Sequence, residues 1–187
     1  MRIIIGITGA SGVLLGVNML KALAHCPGCE THLVMTDGAK TTLEYETDLS
    51  VQDVVSMADY CYDINNLAAP ISSGSFKTDG MVIVPCSMKT LSGVVAGYTD
   101  NLLIRAADVC VKEKRRVILV PRETPLSSIH LRNMLQAAND GYMLVPPMLT
   151  FYNRPDTIQD MINHLIGKIM AAFNLDFNAF VPWEGVV

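Results

Sequence analysis

The apolar and polar positions change period repeatedly along the chain. Arg2–Thr8 is a β-rich apolar run, and Val13–Ala24 then carries apolar residues at helical spacing. His32–Met35 predicts a second strand, followed by a helix over Lys40–Glu46. Ser50 is placed to cap a short helix reaching Ala58, and Asp59–Ser75 reads as irregular and turn-rich. Met81–Val84 and Val117–Val120 are almost purely aliphatic, the signature of strands buried on both faces. Between them, helices are predicted over Thr90–Ala96 and Asn101–Lys114. Another starts at Ser127 or Ser128 and runs to Asn139, and Tyr142–Val145 forms a further strand stopped by Pro146-Pro147. Pro155 sits where a first-turn proline opens a last helix to Phe173. Strand and helix alternate from end to end, with no internal repeat and no linker. The pattern predicts an α/β protein with a central, mainly parallel sheet, folded as a single domain over residues 1–187.

Composition adds a requirement. Half of the 187 residues are hydrophobic, only 17% are charged, and 11 are Met; mean hydropathy is +0.32. Such a chain hides apolar surface in a sheet covered on both faces, or against other subunits, and both are expected. A net charge of −4 argues against nucleic acid as the main partner. No apolar run approaches the ~18 residues that span a bilayer, so no membrane association is expected. The chain enters Arg2-Ile3-Ile4-Ile5 without a leader, and the expected location is cytoplasmic. Five cysteines fit reduced thiols. Cys26-Pro27-Gly28-Cys29 has redox spacing, but it ends the first helix, where the dipole disfavours a thiolate. No second pair completes a zinc site, and no metal is expected.

In open α/β sheets, ligands bind beyond the carboxyl ends of the strands. Those ends read Gly9-Ala10-Ser11-Gly12, Thr36-Asp37-Gly38, Pro85-Cys86-Ser87-Met88-Lys89-Thr90, Pro121-Arg122-Glu123 and Phe151-Tyr152-Asn153-Arg154. Hydroxyls, glycines, two arginines, a glutamate and a tyrosine collect on one rim, which suits an anionic ligand. The first turn lets backbone approach phosphate oxygens, and the following helix N-terminus offers N–H groups. Two nucleotides fit that turn. A dinucleotide would use Asp37 for its ribose hydroxyls, but the spacing is not G-x-G-x-x-G and no Tyr-x-x-x-Lys pair is present. FMN has the single phosphate that one such turn suits, with Ser87 and Thr90 at its ribityl or isoalloxazine portion.

Several separate motifs then occur in order: Thr8-Gly9-Ala10-Ser11-Gly12, Glu46-Thr47-Asp48, Ser73-Gly74-Ser75 and Pro85-Cys86-Ser87. They continue as Asn101-Leu102-Leu103-Ile104-Arg105-Ala106-Ala107-Asp108-Val109, Leu119-Val120-Pro121-Arg122-Glu123-Thr124-Pro125, Ser127–Met134 and Phe151-Tyr152. In these the chain resembles the flavin prenyltransferase family (the UbiX type) over nearly its whole length. The resemblance implies a three-layer, Rossmann-like flavoprotein fold. It implies transfer of a dimethylallyl group from dimethylallyl phosphate to N5 and C6 of reduced FMN, the prenylated FMN then serving a partner decarboxylase.

Carried over by motif, Gly9, Ala10, Ser11, Thr36, Ser87, Met88, Lys89, Thr90 and Arg122 hold FMN. Arg105, Lys112, Glu123, Tyr152 and Lys168 grip the prenyl phosphate, partly across a subunit interface. Ser11 and Glu46 handle protons near N5, and a homododecamer is implied. Cationic and hydroxyl donors suit a leaving phosphate as its charge grows, and a carboxylate suits proton transfer. Two departures stand out: Ile71-Ser72 precedes Ser73-Gly74-Ser75 where the family commonly has Pro-Ala, and Met88-Lys89 replaces a small Thr-Gly pair. The alternatives are an FMN-dependent decarboxylase of the aromatic-acid or cysteine type, for which His25 and His32 are poorly placed, and a non-catalytic FMN carrier. His130 and His164 are read as helix-surface or core residues without chemistry, and Trp183 as docking the tail over a neighbour.

Overall fold

A computed structural model describes residues 1–183 and residue 185. Six strands form one sheet: β1 (Arg2–Ile7), β2 (Glu30–Met35), β3 (Tyr60–Tyr62), β4 (Gly80–Cys86), β5 (Arg116–Pro121) and β6 (Met143–Leu144). Their order is β3-β2-β1-β4-β5-β6, and every neighbouring pair is parallel. The helices are α1 (Val13–Ala24), α2 (Asp37–Glu46), α3 (Val51–Val55), α4 (Met88–Ala96), α5 (Leu102–Lys112), α6 (Ser128–Asn139) and α7 (Ile158–Ala172).

The uniform apolarity of the strands has a direct cause. Successive side chains point to opposite faces, and each face has its own core. Ile3, Ile5, Ile7, Val82, Val84, Ile118 and Val120 pack with α1, α2 and α7. Ile4, Met81, Ile83, Val117 and Leu119 pack with α4 and α5, and Ala137 of α6 joins the same core. The result is the three-layer, Rossmann-like arrangement.

Local signals account for most helix starts. Thr36, Ser50, Ser87, Asn101, Ser127 and Thr157 each accept a hydrogen bond from a first-turn N–H. α2 and α4 therefore begin at Asp37 and Met88, earlier than the apolar spacing suggested, because the cap and not the first apolar residue sets the start. Pro155 does not open the last helix. Thr157 and Asp160 form a capping box there, and helix starts at Ile158. The segment expected to be irregular contains β3, a three-residue edge strand with polar and exposed positions that no aliphatic run announces. It pairs with β2 and is pinned by Asp59, whose carboxylate accepts from the Thr31 N–H and hydroxyl at 2.8 and 2.9 Å. Those two bonds hold the Asp59 carboxyl below its ordinary range.

Candidate active site at the carboxyl edge of the sheet

The chain runs outward from β1 in two directions, to β2 on one side and β4 on the other, so the crevice opens between the ends of β1 and β4. Thr8 joins those ends. Its buried hydroxyl donates to the Pro85 carbonyl at 2.8 Å and accepts from the Ser87 N–H at 2.8 Å. Thr8 opens the Thr8-Gly9-Ala10-Ser11-Gly12 motif, in which no task falls to it from the sequence alone. The signal was there: a hydroxyl residue closing an otherwise aliphatic strand.

A cavity of about 690 Å³ lies beyond this latch, lined by Gly9, Thr36, Gly38, Ser87, Lys89 and Thr90 among others. That volume is in the range of pockets that enclose a small ligand. The first turns of α2 and α4 both face it. Thr36 Oγ1 accepts from Ala39 N at 3.1 Å, and Ser87 Oγ accepts from Thr90 N at 3.2 Å and donates to Thr90 Oγ1 at 3.1 Å. Among the described residues, the N–H groups of Asp37, Gly38, Met88 and Lys89 have no partner. They are the orphan donors of two helix N-termini, suited to anionic oxygens. Gly9 crosses the start of α2 so closely that a Cβ there would lie 2.8 Å from the Gly38 carbonyl carbon. Any side chain would push two backbones apart and fill the cradle.

Five of the residues expected to hold FMN thus line one cavity: Gly9, Thr36, Ser87, Lys89 and Thr90. Ala10, Ser11, Met88 and Arg122 are not among its lining residues. Arg122 is tied to the same rim by its N–H, which donates to the Cys86 carbonyl at 3.1 Å. Cys86 itself is fully buried, and burial pushes its thiol up to about 12, which keeps it protonated.

The first turn differs from expectation in one respect. The Glu46 carboxylate accepts from Gly12 N at 2.9 and 3.1 Å and from Val13 N at 3.0 Å. These N–H groups, expected to meet a phosphate, are taken by a carboxylate from the end of α2 that complements the same dipole. Glu46 is thereby held beside Ser11, and the helix ends left open to an anion are those of α2 and α4.

The residues expected on the prenyl phosphate fall in three places within one chain. Arg105 and Lys112 of α5 line an open cleft of about 480 Å³ with Ser72, Ser73, Gly74 and Ser75. There Arg105 donates to the Ser72 carbonyl at 3.2 Å and to Asp108 at 2.8 Å, and Lys112 pairs with Glu113 at 2.6 Å. Glu123 stands exposed at the end of β5 and accepts from the Thr124 N–H at 2.9 Å. Tyr152 and Lys168 meet a third group of side chains. The Tyr152 hydroxyl lies 3.0 Å from His164 Nε2, and Lys168 Nζ sits 5.6 Å above the Phe180 ring, which also touches His164. Trp183 packs edge-on against Tyr152 of its own chain, centroids 5.5 Å apart.

The remaining candidates fall outside the crevice. His25 bonds the Lys21 carbonyl at the far end of α1, and His32 is buried in β2 between Tyr62 and Glu30. The Cys26 thiol is pushed up by burial and by Cys29.

Comparison with known proteins agrees with this geometry. Residues 1–170 match the family model Flavoprotein. The chain is 60% identical over 185 residues to a "Probable UbiX-like flavin prenyltransferase" of Sedimentibacter hydroxybenzoicus, covering 99% of this chain and 98% of that one. The crystal structure of a dodecameric FMN-dependent UbiX-like decarboxylase from Escherichia coli O157:H7 superposes with a TM-score of 0.97 at 51% identity, covering 99% and 100% of the two chains. That of AnUbiX (PadA1) with FMN and dimethylallyl pyrophosphate does so with 0.97 at 48% identity, covering 100% and 98%. A chain with this sheet order, this switch-point crevice and these relatives belongs to the UbiX-like flavin prenyltransferase family of flavoproteins.

Proposed function

We propose that residues 1–187 act as a single FMN-binding domain that moves a dimethylallyl group from dimethylallyl phosphate to N5 and C6 of reduced FMN. The observation that carries this is the crevice at the β1–β4 switch point, where two open helix N-termini and a glycine crossing form an anion cradle. A solved relative of the same fold holds FMN together with a dimethylallyl pyrophosphate. Gly9, Thr36, Ser87, Lys89 and Thr90 hold the flavin phosphate and ribityl chain, with Ala10, Ser11, Met88 and Arg122 at its rim. Reduced FMN supplies the nucleophilic N5 and C6.

The chain supplies charge and proton control. Arg105, Lys112, Glu123, Tyr152 and Lys168 receive the phosphate as the allylic C–O bond breaks, offsetting the charge that gathers on it. Glu46, held against the α1 N-terminus beside Ser11, takes and returns protons at N5.

The phosphate-binding residues are dispersed in one chain, and assembly reunites them. α6 buries only Ala137 and leaves Ile129, Leu131 and Leu135 exposed, continuous in sequence with exposed Leu126 and followed by exposed Met148, Leu149 and Phe151. So much exposed apolar surface requires cover. Identical copies provide it in this reading, as a homododecamer like the relative of that description. The Arg105–Lys112 cleft of one copy then faces the Glu123–Tyr152 rim of another. The prenylated FMN leaves for a separate decarboxylase. Cytoplasmic residence fits five free thiols among the described residues and a fold in which no helix is long and apolar enough to cross a membrane.

Anaerobic incubation with reduced FMN and dimethylallyl phosphate, followed by mass analysis of the extracted flavin, tests the reading. The expected result is a gain of one prenyl unit. Carbon dioxide release from an aromatic acid, with no gain on the flavin, would instead make the protein a decarboxylase.

A further inference from the structure

His164 has no task in the reading above, yet its surroundings single it out. It is 5% exposed on α7, one turn before Lys168, and its Nε2 lies 3.0 Å from the Tyr152 hydroxyl. Its other nitrogen, Nδ1, is buried without a hydrogen-bond partner among the described residues. Asn153 Oδ1, which lines the same cavity of about 190 Å³, is likewise unpartnered, so the two do not satisfy each other.

A neutral imidazole carries one N–H, and its partners decide where. On Nδ1 that hydrogen would be a buried donor with no acceptor, the rarer and costlier kind of orphan. On Nε2 it meets the Tyr152 oxygen, and Nδ1 keeps only an unfilled lone pair. Burial and the Lys168 ammonium both push the imidazole's pKa below 6.5, so the neutral form is the one to consider. The phenol is then an acceptor toward His164, and its own proton is free. Donating onward from a hydroxyl that already accepts is the cooperative direction. The ring is held edge-on to His164 on one side and to Trp183 on another, centroids 5.3 and 5.5 Å away.

We propose that His164 is a positioning residue: its Nε2–H donates to the Tyr152 oxygen and so commits the phenolic proton to an oxygen of the prenyl phosphate, beside Lys168. This rests on the placement of Tyr152 at that phosphate, and the test separates the two claims.

Steady-state kinetics on the full assembly, with FMN affinity and melting temperature alongside, compare Tyr152→Phe, His164→Phe, His164→Gln and the double Tyr152→Phe/His164→Phe. Tyr152→Phe is expected to raise KM for dimethylallyl phosphate about tenfold, the loss of one hydrogen bond to a charged group. His164→Phe keeps the ring but not the donor, and should raise KM comparably while leaving FMN affinity unchanged. His164→Gln, whose amide N–H can donate to the phenol, should recover most of it. The double variant should be no worse than Tyr152→Phe alone. Should His164→Phe fail to assemble, His164→Gln against His164→Leu makes the same comparison of donor with no donor. A normal KM without the donor, while Tyr152→Phe raises it, overturns the role of His164; so do single effects that multiply in the double variant. An unchanged KM in Tyr152→Phe overturns the placement of Tyr152 itself, and the role of His164 with it.

Discussion

Glu46 shows how one side chain can serve two ends at the residue scale. Its carboxylate satisfies Gly12 and Val13 N–H groups at the α1 N-terminus, and the same contact holds it next to Ser11. An amide in its place retains an oxygen to accept those bonds, but it has no charge to complement the helix dipole and no useful basicity. Glu46→Gln is therefore expected to fold and bind FMN, with a melting temperature only modestly lower. Its prenylation rate, measured as flavin mass against time, should fall by about a hundredfold or more, the usual size of a lost proton-transfer group. Normal turnover in this variant would remove Glu46 from the proton path. Glu46 as a candidate was legible through its motif. That it caps a helix 33 residues earlier in sequence was not, since capping is a local rule and this contact is not local.

Among the elements, the decisive junction is between the ends of β1 and β4. Thr8 bridges them with one donated bond, buried, and one accepted bond, part-buried. Thr8→Val matches the shape and removes the hydroxyl, which leaves the Ser87 N–H without its partner, while the Pro85 carbonyl keeps the backbone N–H of residue 8 at 3.3 Å. Such an orphaned donor costs about 1–3 kcal/mol. The variant is expected to unfold at lower denaturant and to bind FMN more weakly, because Ser87 caps α4 at the cavity wall. Unchanged denaturation and flavin titration would mean the two strand ends are held by other contacts.

Elements with aliphatic runs or hydroxyl caps were visible in advance; β3 and the true start of α7 were not. In β3 the edge strand owes its pairing to β2 and Asp59 rather than to its own pattern. In α7 a capping box outcompetes a proline that suits a first turn equally well.

Across the whole molecule, the dispersal of the proposed phosphate residues and the exposed apolar surface of α6 carry the proposal that a single copy is incomplete. Replacing Leu135, 63% exposed, by Glu places a charge on that face without touching the core. Size-exclusion chromatography with light scattering should show the parent chain as a large homo-oligomer and Leu135→Glu as smaller species. Prenylation should fall with assembly while some FMN binding persists, since the proposed flavin cradle is lined by residues of one chain. A monomeric parent with full activity would break the link between assembly and the site.

The sequence by itself determined the α/β class, the doubly buried strands, most of the helix starts and the chemistry of the strand ends. All of these depend on residues near one another along the chain, through side-chain period, capping and turn geometry. Only the tertiary structure decided the β3-β2-β1-β4-β5-β6 order that opens the crevice at β1 and β4. It also gave the first turn's N–H groups to Glu46, set Arg105 and Lys112 on a cleft apart from the cavity at the β1–β4 ends, and joined Tyr152 to His164. Each of these is a contact between segments whose separation no periodicity encodes. Their partners are chosen by which strands pair and which helix faces meet, and the functional geometry follows from that choice.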